Sequence, residues 1–416
     1  MVKSRIIKPI FDPIRVFYVG LISIIIVYLV VRFGLLWYIN PSSRIPQDFN
    51  VYRLAAERLS EGKAIYVPTD ELPYKYSPTF AYLFRYSFFF IEKKLAAAIW
   101  KALSVLAFLG ALARFGHRLL QTARLERQVL MALIIGILLS WHGFLETLGI
   151  GQVDLLLGAG LIGLATSVLN PSFEISQWSW IMRSFLCASI LAVKPHMALA
   201  IFPFCFGMGW AECLGVAVTT LIIYFLPSMW IGLDPLVGLF REWVACLRQQ
   251  QDVTFMIGNP NQAIGAVIAR CLGHPDSVGL LNRVFLGIDF SVFLALAWPN
   301  LRKATNSGLG RKAQLLWLAY GISSYLLFSP LSWRWFVFLW IPVVAIIAYV
   351  DEKPLKLLSI WAFLAILNHS GMARLSGMAE GDGVSFFGFY MWASLALFVA
   401  VLVLLRQRQS ETSYLS

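Results

Sequence analysis

The side chains best suited to chemistry in this chain are charged groups that interrupt or directly follow long apolar runs. Asp48 follows the first run within PQDFNVY, Lys194 breaks the run from 179 to 206, and Arg334 lies in SPLSWRWF between two later runs. Charged side chains at membrane depth are energetically expensive, which makes each one a candidate for function. A carboxylate can act as a general base, and fixed cations can stabilise a developing anion.

Each of these candidates also has a plainer structural explanation. Asp48 begins a predicted helix, where aspartate is a preferred N-cap. Lys194 could pair with a carboxylate, although the adjacent Pro195 also frees backbone groups that a ligand can use. Arg334 beside Trp333 could hold a phosphate and a sugar, but an aromatic belt with a basic anchor has the same residues. The sequence leaves these alternatives open.

Three short polar segments supply further candidate binding groups. The segment YKYSP, residues 74–78, has tyrosines that could also be interface anchors, and GQVD, residues 151–154, predicts a tight polar turn facing a cavity. The amides of GNPNQ, residues 258–262, could bind sugar hydroxyls or form a turn. The candidates from these segments and from the sequence around Lys194 are Lys75, Tyr76, Gln152, Asp154, His196, Asn261 and Gln262.

The composition is that of a membrane protein, so the candidate groups must be positioned by membrane-spanning elements. Hydrophobic residues make up 59% of the 416 residues and charged residues 13%, whereas soluble domains have about 25% charged residues. Apolar runs of about 20 residues, long enough to cross the hydrocarbon core as helices, recur along the whole chain. We therefore predict an all-α polytopic membrane protein with about 12 transmembrane helices in one domain, residues 1–416.

Basic residues orient the predicted helices. Four of them precede the first apolar run and place the N-terminus in the cytoplasm by the positive-inside rule. An even number of crossings returns the C-terminus to the cytoplasm and leaves the polar segments 39–75 and 232–277 outside. The basic residues between 114 and 127 would then also lie outside, unless the apolar stretch from 77 to 94 is re-entrant. The charge rule favours the re-entrant arrangement.

The first outer loop contains a predicted amphipathic helix, QDFNVYRLAAERLSEG, that ends near Gly62. Its apolar residues are Phe49, Leu54, Ala55 and Leu59, and charged residues lie between them. This pattern is typical of a helix that lies in the membrane interface.

Several classes of function are disfavoured. The net charge of +12 comes mainly from basic residues in short segments between apolar runs, so it indicates orientation rather than nucleic-acid binding. The five cysteines have no CxxC or Cys/His spacing and predict neither a zinc site nor a disulfide framework. A lipid or sugar transporter or flippase is the main alternative to an enzyme, since such proteins also have broken helices and polar cavities. Against it, the sequence shows no inverted repeat.

Six segments, in order, resemble glycosyltransferase family 87 of the GT-C superfamily, which includes the polyprenyl-phosphate-mannose-dependent alpha-1,2-mannosyltransferases. They are DFNVYRLAAERLSEGKAIY, YKYSPTFAYLF, GQVDLLLGAGLIGL, AVKPHMALAIFPF, NPNQAIGAVIAR and SPLSWRWFVFLWIP. The resemblance covers about residues 15 to 350. The chain departs from the family pattern at Ser77, in an element that is usually YPP, and at Arg334 and Trp335, in a turn that commonly carries histidines.

The resemblance implies a GT-C fold that transfers a hexose such as mannose from a polyprenyl-phosphate donor to an extracytoplasmic glycan or glycolipid, with inversion. Asp48 would be the general base, and Lys194, Arg334 and Lys75 would bind the donor phosphate. The substrate-binding candidates are Tyr52, Tyr76, Gln152, Asp154, His196, Asn261, Gln262 and Trp333.

It further implies a multi-pass protein of the plasma (inner) membrane, with its site facing the periplasm or cell exterior. The lipid-linked sugar is a co-substrate, and no metal or other cofactor is expected. Membrane lipids, the polyprenyl-phosphate sugar and the acceptor are the expected partners. Because relatives use mannose or arabinofuranose, the sugar, the acceptor and the linkage are left open.

Overall fold

The computed structural model describes residues 13–40, 42–170, 177–249, 256–258, 261–303, 310–351, 354–367 and 389–414. Within these ranges the chain is helical, and its only β-type pairing is a single-residue bridge between Asn261 and Trp333. The helices of the described residues, in chain order, are α1 (Pro13–Ile39), α2 (Gln47–Ser60), α3 (Pro78–Phe88), α4 (Lys93–Thr122), α5 (Glu126–Ile150), α6 (Asp154–Leu169), α7 (Gln177–Val193), α8 (Ala198–Met208), α9 (Trp210–Phe225), α10 (Ser228–Ile231), α11 (Leu233–Gln249), α12 (Ile264–Cys271), α13 (Val278–Lys303), α14 (Arg311–Phe328), α15 (Trp340–Val350), α16 (Pro354–Leu367) and α17 (Phe389–Tyr414).

Several of these helices are suited to a bilayer. In the described part of the chain, six helical segments are long and apolar enough to cross a membrane. They are Pro13–Ile39, Lys93–Thr122, Glu126–Ile150, Trp210–Ile231, Pro275–Trp298 and Tyr390–Arg408. Helices satisfy their own backbone hydrogen bonds, which lipid cannot do for them. The chain is therefore an all-helical membrane protein, as its composition predicts.

The apolar stretch from 77 to 91 forms α3, which has only 11 residues. A helix of that length extends about 16 Å at 1.5 Å per residue, whereas the hydrocarbon core is about 30 Å thick. Helix α3 is thus too short to cross the core alone. This length agrees with the re-entrant arrangement that the positive-inside rule favours for this stretch.

The apolar run from 179 to 206 forms two helices rather than one. Helix α7 ends at Val193, and α8 begins at Ala198 after a 3-10 turn over Pro195–Met197. Pro195 has no amide hydrogen to continue the helix, so the chain breaks beside Lys194. The break places this lysine at a helix end, where its amino group can turn toward other elements.

The centre of the bundle is α14. Every residue from Leu315 to Phe328 is buried, and Trp317 and Tyr320 are among the largest fully buried side chains. By contrast, α1, α9 and α13 expose many apolar side chains, as expected for helices that face lipid.

Helix α2 forms where the sequence predicts it, but its buried face differs from the expected one. The buried residues are Phe49, Tyr52, Ala55 and Ala56, and Leu54 is 36% exposed. The positions i, i+3, i+6 and i+7 lie on one side of a helix. Tyr52 therefore belongs to the packed side, because it falls in register with Phe49.

Candidate functional site

The GQVD turn brings polar groups from the α5–α6 junction to the start of α2. Gly151 has φ +74°, and a Cβ atom there would lie 2.7 Å from Cβ of Pro46. Only glycine combines this left-handed backbone with so close an approach. The indole of Trp100 also donates a 2.9 Å hydrogen bond to the Gly151 carbonyl. The turn therefore holds Gln152 beside the first turn of α2, which carries Asp48.

Asp48 lies inside α2 and is not its N-cap. Pro46 occupies the N-cap position, where no side chain caps the helix. The partly buried carboxylate of Asp48 instead accepts a hydrogen bond from the side chain of Gln152. Oε1 of Gln152 in turn accepts a 2.8 Å hydrogen bond from Nε1 of Trp335. The oxygen of the amide is thereby engaged by the indole, so its NH2 group is the part that faces the carboxylate.

Lys194 and Asp154 form a buried ion pair next to Asp48. Nζ of Lys194 lies 2.9 and 2.7 Å from the two carboxylate oxygens of Asp154. The same Nζ is 5.4 Å from the ring centroid of Tyr76 and 5.3 Å from that of Phe336. Both charges are nearly excluded from solvent, so removal of either one would leave the other unpaired.

The surroundings shift the pKa of Asp48 upward. Burial raises the pKa of this carboxyl to about 6, although Lys194 and the hydrogen bond from Gln152 act in the opposite direction. Lys75 also lowers the pKa of Asp48, and burial lowers the pKa of Lys75 itself. A carboxylate whose pKa is nearer to neutrality is a stronger base and remains ionised at neutral pH, which suits proton abstraction.

Tyr52 links α2 to neighbouring elements, and the substrate-binding role that the sequence suggests for it stays a prediction. Its ring is fully buried. Its hydroxyl donates to the hydroxyl of Tyr76 at 3.0 Å and accepts from the backbone N–H of Val153 at 3.2 Å. The side chain thus ties α2 to the GQVD turn, whereas Tyr76 is partly exposed.

Ser77, one of the departures from the family pattern, supports the start of α3. Its hydroxyl accepts a 3.2 Å hydrogen bond from the N–H of Phe80 and donates to the carbonyl of Ala192. Serine is a favoured N-cap, and Pro78 suits the first helical position. The substitution therefore keeps α3 capped and joins it to the end of α7, beside Lys194.

Asn261 holds two loops together through its side-chain amide. Its Nδ2 donates to the carbonyls of Met256 and Pro330 at 2.7 and 2.9 Å. Its Oδ1 accepts from the backbone N–H groups of Ala263 and Ser332 at 3.1 and 3.0 Å. With both donors and both acceptor positions used inside the fold, this amide has a structural role. The sugar-binding role of Asn261 stays a prediction.

Gln262 adds a further hydrogen bond between the same two loops. Its backbone N–H donates a 2.6 Å hydrogen bond to the carbonyl of Ser332, and the residue is 2% exposed. Asn261 and Gln262 are therefore fixed to the SPLSW turn, and a direct contact between the side chain of Gln262 and a substrate would require the loop to open.

Arg334 is ion-paired with a carboxylate that the sequence analysis did not single out. Its Nη2 lies 3.0 Å from Oε1 of Glu146, and Nε2 of His142 lies 3.5 Å from the other oxygen of Glu146. On either side of Arg334, the indoles of Trp333 and Trp335 stack with centroids 5.1 Å apart and planes within 8°. The turn thus forms a flat aromatic surface next to Gln152.

Lys75 and His196 line a cavity of about 570 Å³ that adjoins the cluster. Asn282, Arg283 and Ser329 line it as well. His196 is exposed, and its Nε2 lies 3.4 Å from the hydroxyl of Tyr325. Because Lys75 is close enough to Asp48 to shift its pKa, it connects the carboxylate to this cavity.

Five of the twelve predicted site residues thus lie in one cluster around Asp48. Asp48, Lys75, Gln152, Asp154 and Lys194 come together from segments far apart in the chain. Trp335 joins them through Gln152, and the sequence pointed to it only as a departure from the family pattern.

A comparison with known protein families identifies the family of this chain. Among curated proteins, none matches the sequence. A family model, described as glycosyltransferase family 87, matches residues 74–330, which is more than half of the 416-residue chain. The match includes the YKYSP, GQVD, Lys194 and GNPNQ segments. The chain belongs to glycosyltransferase family 87.

Proposed function

We propose that this membrane glycosyltransferase transfers a hexose, in particular mannose, from a polyprenyl monophosphate to a hydroxyl group of an extracytoplasmic glycan or glycolipid. The observation that carries the proposal is the partly buried carboxylate of Asp48, hydrogen-bonded to Gln152 and adjacent to Lys194. Asp48 lies before the residues matched by the family, so its role rests on this geometry. The family's activity is sugar transfer, which favours an enzyme over a flippase.

The proposed orientation places both termini in the cytoplasm of a plasma membrane. Twelve helices among the described residues would cross the bilayer, namely α1, α4 to α9, and α13 to α17. Helices α8 and α15 have 11 residues each, as α3 does, but they are lengthened by the 3-10 turns Pro195–Met197 and Arg334–Leu339 that directly precede them. Helix α3 would be re-entrant, and α2 would lie in the outer interface. The ion pair of Arg15 with Glu126, at 3.1 Å, supports a common cytoplasmic side for the start of α1 and the start of α5.

This orientation also agrees with the charge pattern. The basic residues from 114 to 127 fall on the cytoplasmic side, and Asp48, Gln152 and Lys194 fall on the outer side. A re-entrant α3 removes one crossing from the simplest count of apolar runs. The division of the run from 179 to 206 into two helices adds one, so the number of crossings is unchanged. Twelve crossings with a cytoplasmic C-terminus then satisfy the positive-inside rule.

In the proposed reaction, Asp48 accepts the proton of the acceptor hydroxyl as that oxygen attacks the anomeric carbon of the donor. The bond from this carbon to the phosphate oxygen breaks, and the electron pair leaves with the polyprenyl phosphate. Attack opposite to the leaving group inverts the anomeric centre. Positioned general-base catalysis of this kind contributes about 10² to 10⁴ in rate.

The leaving phosphate needs nearby cations, because its negative charge increases as the bond breaks. Lys194 and Lys75 are the proposed groups. The charge of Lys194 is partly offset by Asp154, so Lys75, in the cavity wall, supplies additional positive charge. Arg334 would join them only by exchanging the carboxylate of Glu146 for the phosphate, since its Nη2 is 3.0 Å from Oε1 of Glu146.

The remaining candidates would contact the sugars. The parallel indoles of Trp333 and Trp335 offer an aromatic surface for a pyranose ring, and aromatic faces are suited to carbohydrate C–H groups. His196 and Tyr76 are exposed enough to contact a ligand. Asp154 contributes indirectly by fixing Lys194.

The proposal is tested with purified protein in lipid vesicles, radiolabelled polyprenyl-phosphate mannose and a glycolipid extract as acceptor. We expect labelled glycolipid and free polyprenyl phosphate in equal amounts. A parallel assay with the arabinofuranosyl donor tests the sugar. If label crosses the membrane with no new glycosidic bond, the protein is a transporter and the proposal is wrong.

A further inference from the structure

A second polar cavity lies between α4, α6 and α7, at the end of the bundle away from Asp48. Its volume is about 380 Å³. Arg114 and Arg118 contribute from α4, and Thr166, Ser167 and Asn170 contribute from the end of α6. Helix α6 begins at Asp154 and has 16 residues, so the two ends are separated by about 24 Å. This cavity is therefore distinct from the proposed active site.

The positive charge of the cavity comes from one face of α4. Arg114 and Arg118 are four residues apart and therefore lie on the same side of the helix. Among the residues that the structure describes, no carboxylate lies within ion-pair distance of either guanidinium group. Arg118 donates only to the side-chain oxygen of Gln121, at 3.2 Å. Two neighbouring guanidinium groups match a phosphate in both charge and hydrogen-bond geometry.

A third arginine in the wall is already neutralised. Arg183 lies 3.0 Å from Glu212 through its Nε atom. It helps to shape the wall but contributes little net charge. The attraction for an anion thus rests on Arg114 and Arg118.

The rest of the wall combines hydrogen-bond acceptors with apolar surface, which suits the donor groups of a lipid headgroup and the first acyl carbons. The hydroxyls of Thr166 and Ser167 donate to the carbonyls of Ile162 and Leu164 at 2.8 and 2.7 Å. Their oxygen atoms can therefore still accept hydrogen bonds from a ligand. Leu164, Met182 and Leu186 supply apolar surface on the same wall.

Glycine makes the space between α4 and α6. A Cβ atom added to Gly110 would have no neighbour within 4 Å, so a side chain at this position would extend into open space. At Gly163, by contrast, the added atom would lie 3.2 Å from Cδ2 of Leu186. Gly110 is thus the position at which the cavity can be filled without disturbing the helices.

We propose that this cavity binds the headgroup of an anionic glycerophospholipid. Arg114 and Arg118 hold the phosphate, the α6 hydroxyls accept hydrogen bonds from the donor groups that the headgroup carries beyond its phosphate, and the apolar wall receives the first acyl carbons. In the orientation described above, this end faces the cytoplasmic leaflet, which carries anionic lipids. The site is independent of the glycosyl-transfer reaction, so it can be tested whether or not Asp48 is the base.

The test is native mass spectrometry of the full-length protein titrated with phosphatidylglycerol, phosphatidylcholine or inorganic phosphate. Arg114→Gln with Arg118→Gln removes the charge, and Gly110→Leu fills the space while keeping it. Arg124→Gln with Arg127→Gln is the matched control, because it removes the same charge from exposed positions near the same helix ends. Thermal unfolding of each variant confirms that it is folded.

We expect one tightly held phosphatidylglycerol per chain and weaker retention of phosphatidylcholine. Both cavity variants should weaken phosphatidylglycerol binding by about tenfold or more, and the control should change it by less than about twofold. Equal weakening by the control would mean general attraction to basic loops and would overturn the proposal. So would an unchanged affinity in Gly110→Leu, or inorganic phosphate binding as tightly as the lipid.

Discussion

The indole of Trp335 donates a 2.8 Å hydrogen bond to the side-chain oxygen of Gln152, and the amide of Gln152 in turn contacts the carboxylate of Asp48. Trp335 and Gln152 are 183 positions apart in the sequence. The bond connects the turn after α14 with the turn before α6. The orientation of the Gln152 amide is therefore fixed by the tertiary fold, because the partner of the amide oxygen comes from a distant part of the chain.

Removal of the hydrogen bond between Gln152 and Asp48 should lower the catalytic rate more than it weakens substrate binding. In Gln152→Met, the carboxylate of Asp48 loses a hydrogen bond that lowers its pKa, so the acidic limb of the pH–rate profile should move to higher pH. Trp335→Phe should give a smaller shift in the same direction. We expect kcat to fall by about tenfold, with little change in the KM for the donor. An unchanged pH profile in both variants would mean that Gln152 does not orient the base.

The pH dependence of the wild-type enzyme should report Asp48 directly. Burial raises the pKa of this carboxyl to about 6, and only the ionised form can accept a proton. Activity supported by Asp48 is therefore present above this pH and is lost as the pH falls through it. In a plot of kcat/KM, we expect a half-maximal value near pH 6 and a tenfold decline per unit below it. A half-maximal value near pH 4, typical of a solvated aspartate, would contradict this environment.

Variants of the ion pair between Lys194 and Asp154 can distinguish an effect on protein stability from an effect on donor binding. Lys194→Met leaves the buried carboxylate of Asp154 without its cation and should destabilise the protein by about 3 to 5 kcal/mol. Lys194→Met combined with Asp154→Asn removes both charges and should restore most of the thermal stability. The KM for the polyprenyl-phosphate donor should remain high in the double variant. If the double variant binds the donor normally, Lys194 has only a structural role.

The GQVD turn provides a test of backbone geometry. In Gly151→Ala, the new Cβ atom would lie 2.7 Å from Pro46 in a backbone with φ +74°, so α2 must move away and carry Asp48 with it. Activity should fall by more than tenfold, a loss of the size that follows a displacement of about 1 Å. Gly149→Ala is the control, since its Cβ atom meets nothing within 4 Å. Equal activities of the two variants would show that the close approach is unnecessary.

Local patterns in the sequence were enough to predict much of the fold. The helix over Gln47–Ser60 and the break at Lys194 follow from apolar periodicity and from Pro195. The charge rule also identified the stretch from 77 to 94 as unusual, and the short length of α3 agrees with that. These features depend on residues close together in the chain.

Features that depend on long-range packing could not be predicted in the same way. The full burial of Tyr52 follows from contacts with Tyr76, Phe80 and Trp100, whose ring centroids lie 5.0 to 5.8 Å away. Two of the four hydrogen bonds of the Asn261 amide, those with Pro330 and Ser332, join loops that are distant in sequence. An amide in a loop has the same local pattern whether it binds a sugar or the backbone, so its role was assigned only from its contacts.

The most direct test of the account is the transfer rate of Asp48→Asn, measured with the polyprenyl-phosphate sugar donor under saturating conditions. The control is Glu57→Gln on the same helix, which removes a carboxylate that pairs with Arg53 at 3.0 Å. We predict that Asp48→Asn lowers kcat by about 10² to 10⁴ without loss of thermal stability, and that Glu57→Gln changes it by less than about twofold. Full activity in Asp48→Asn would contradict the assignment of the base.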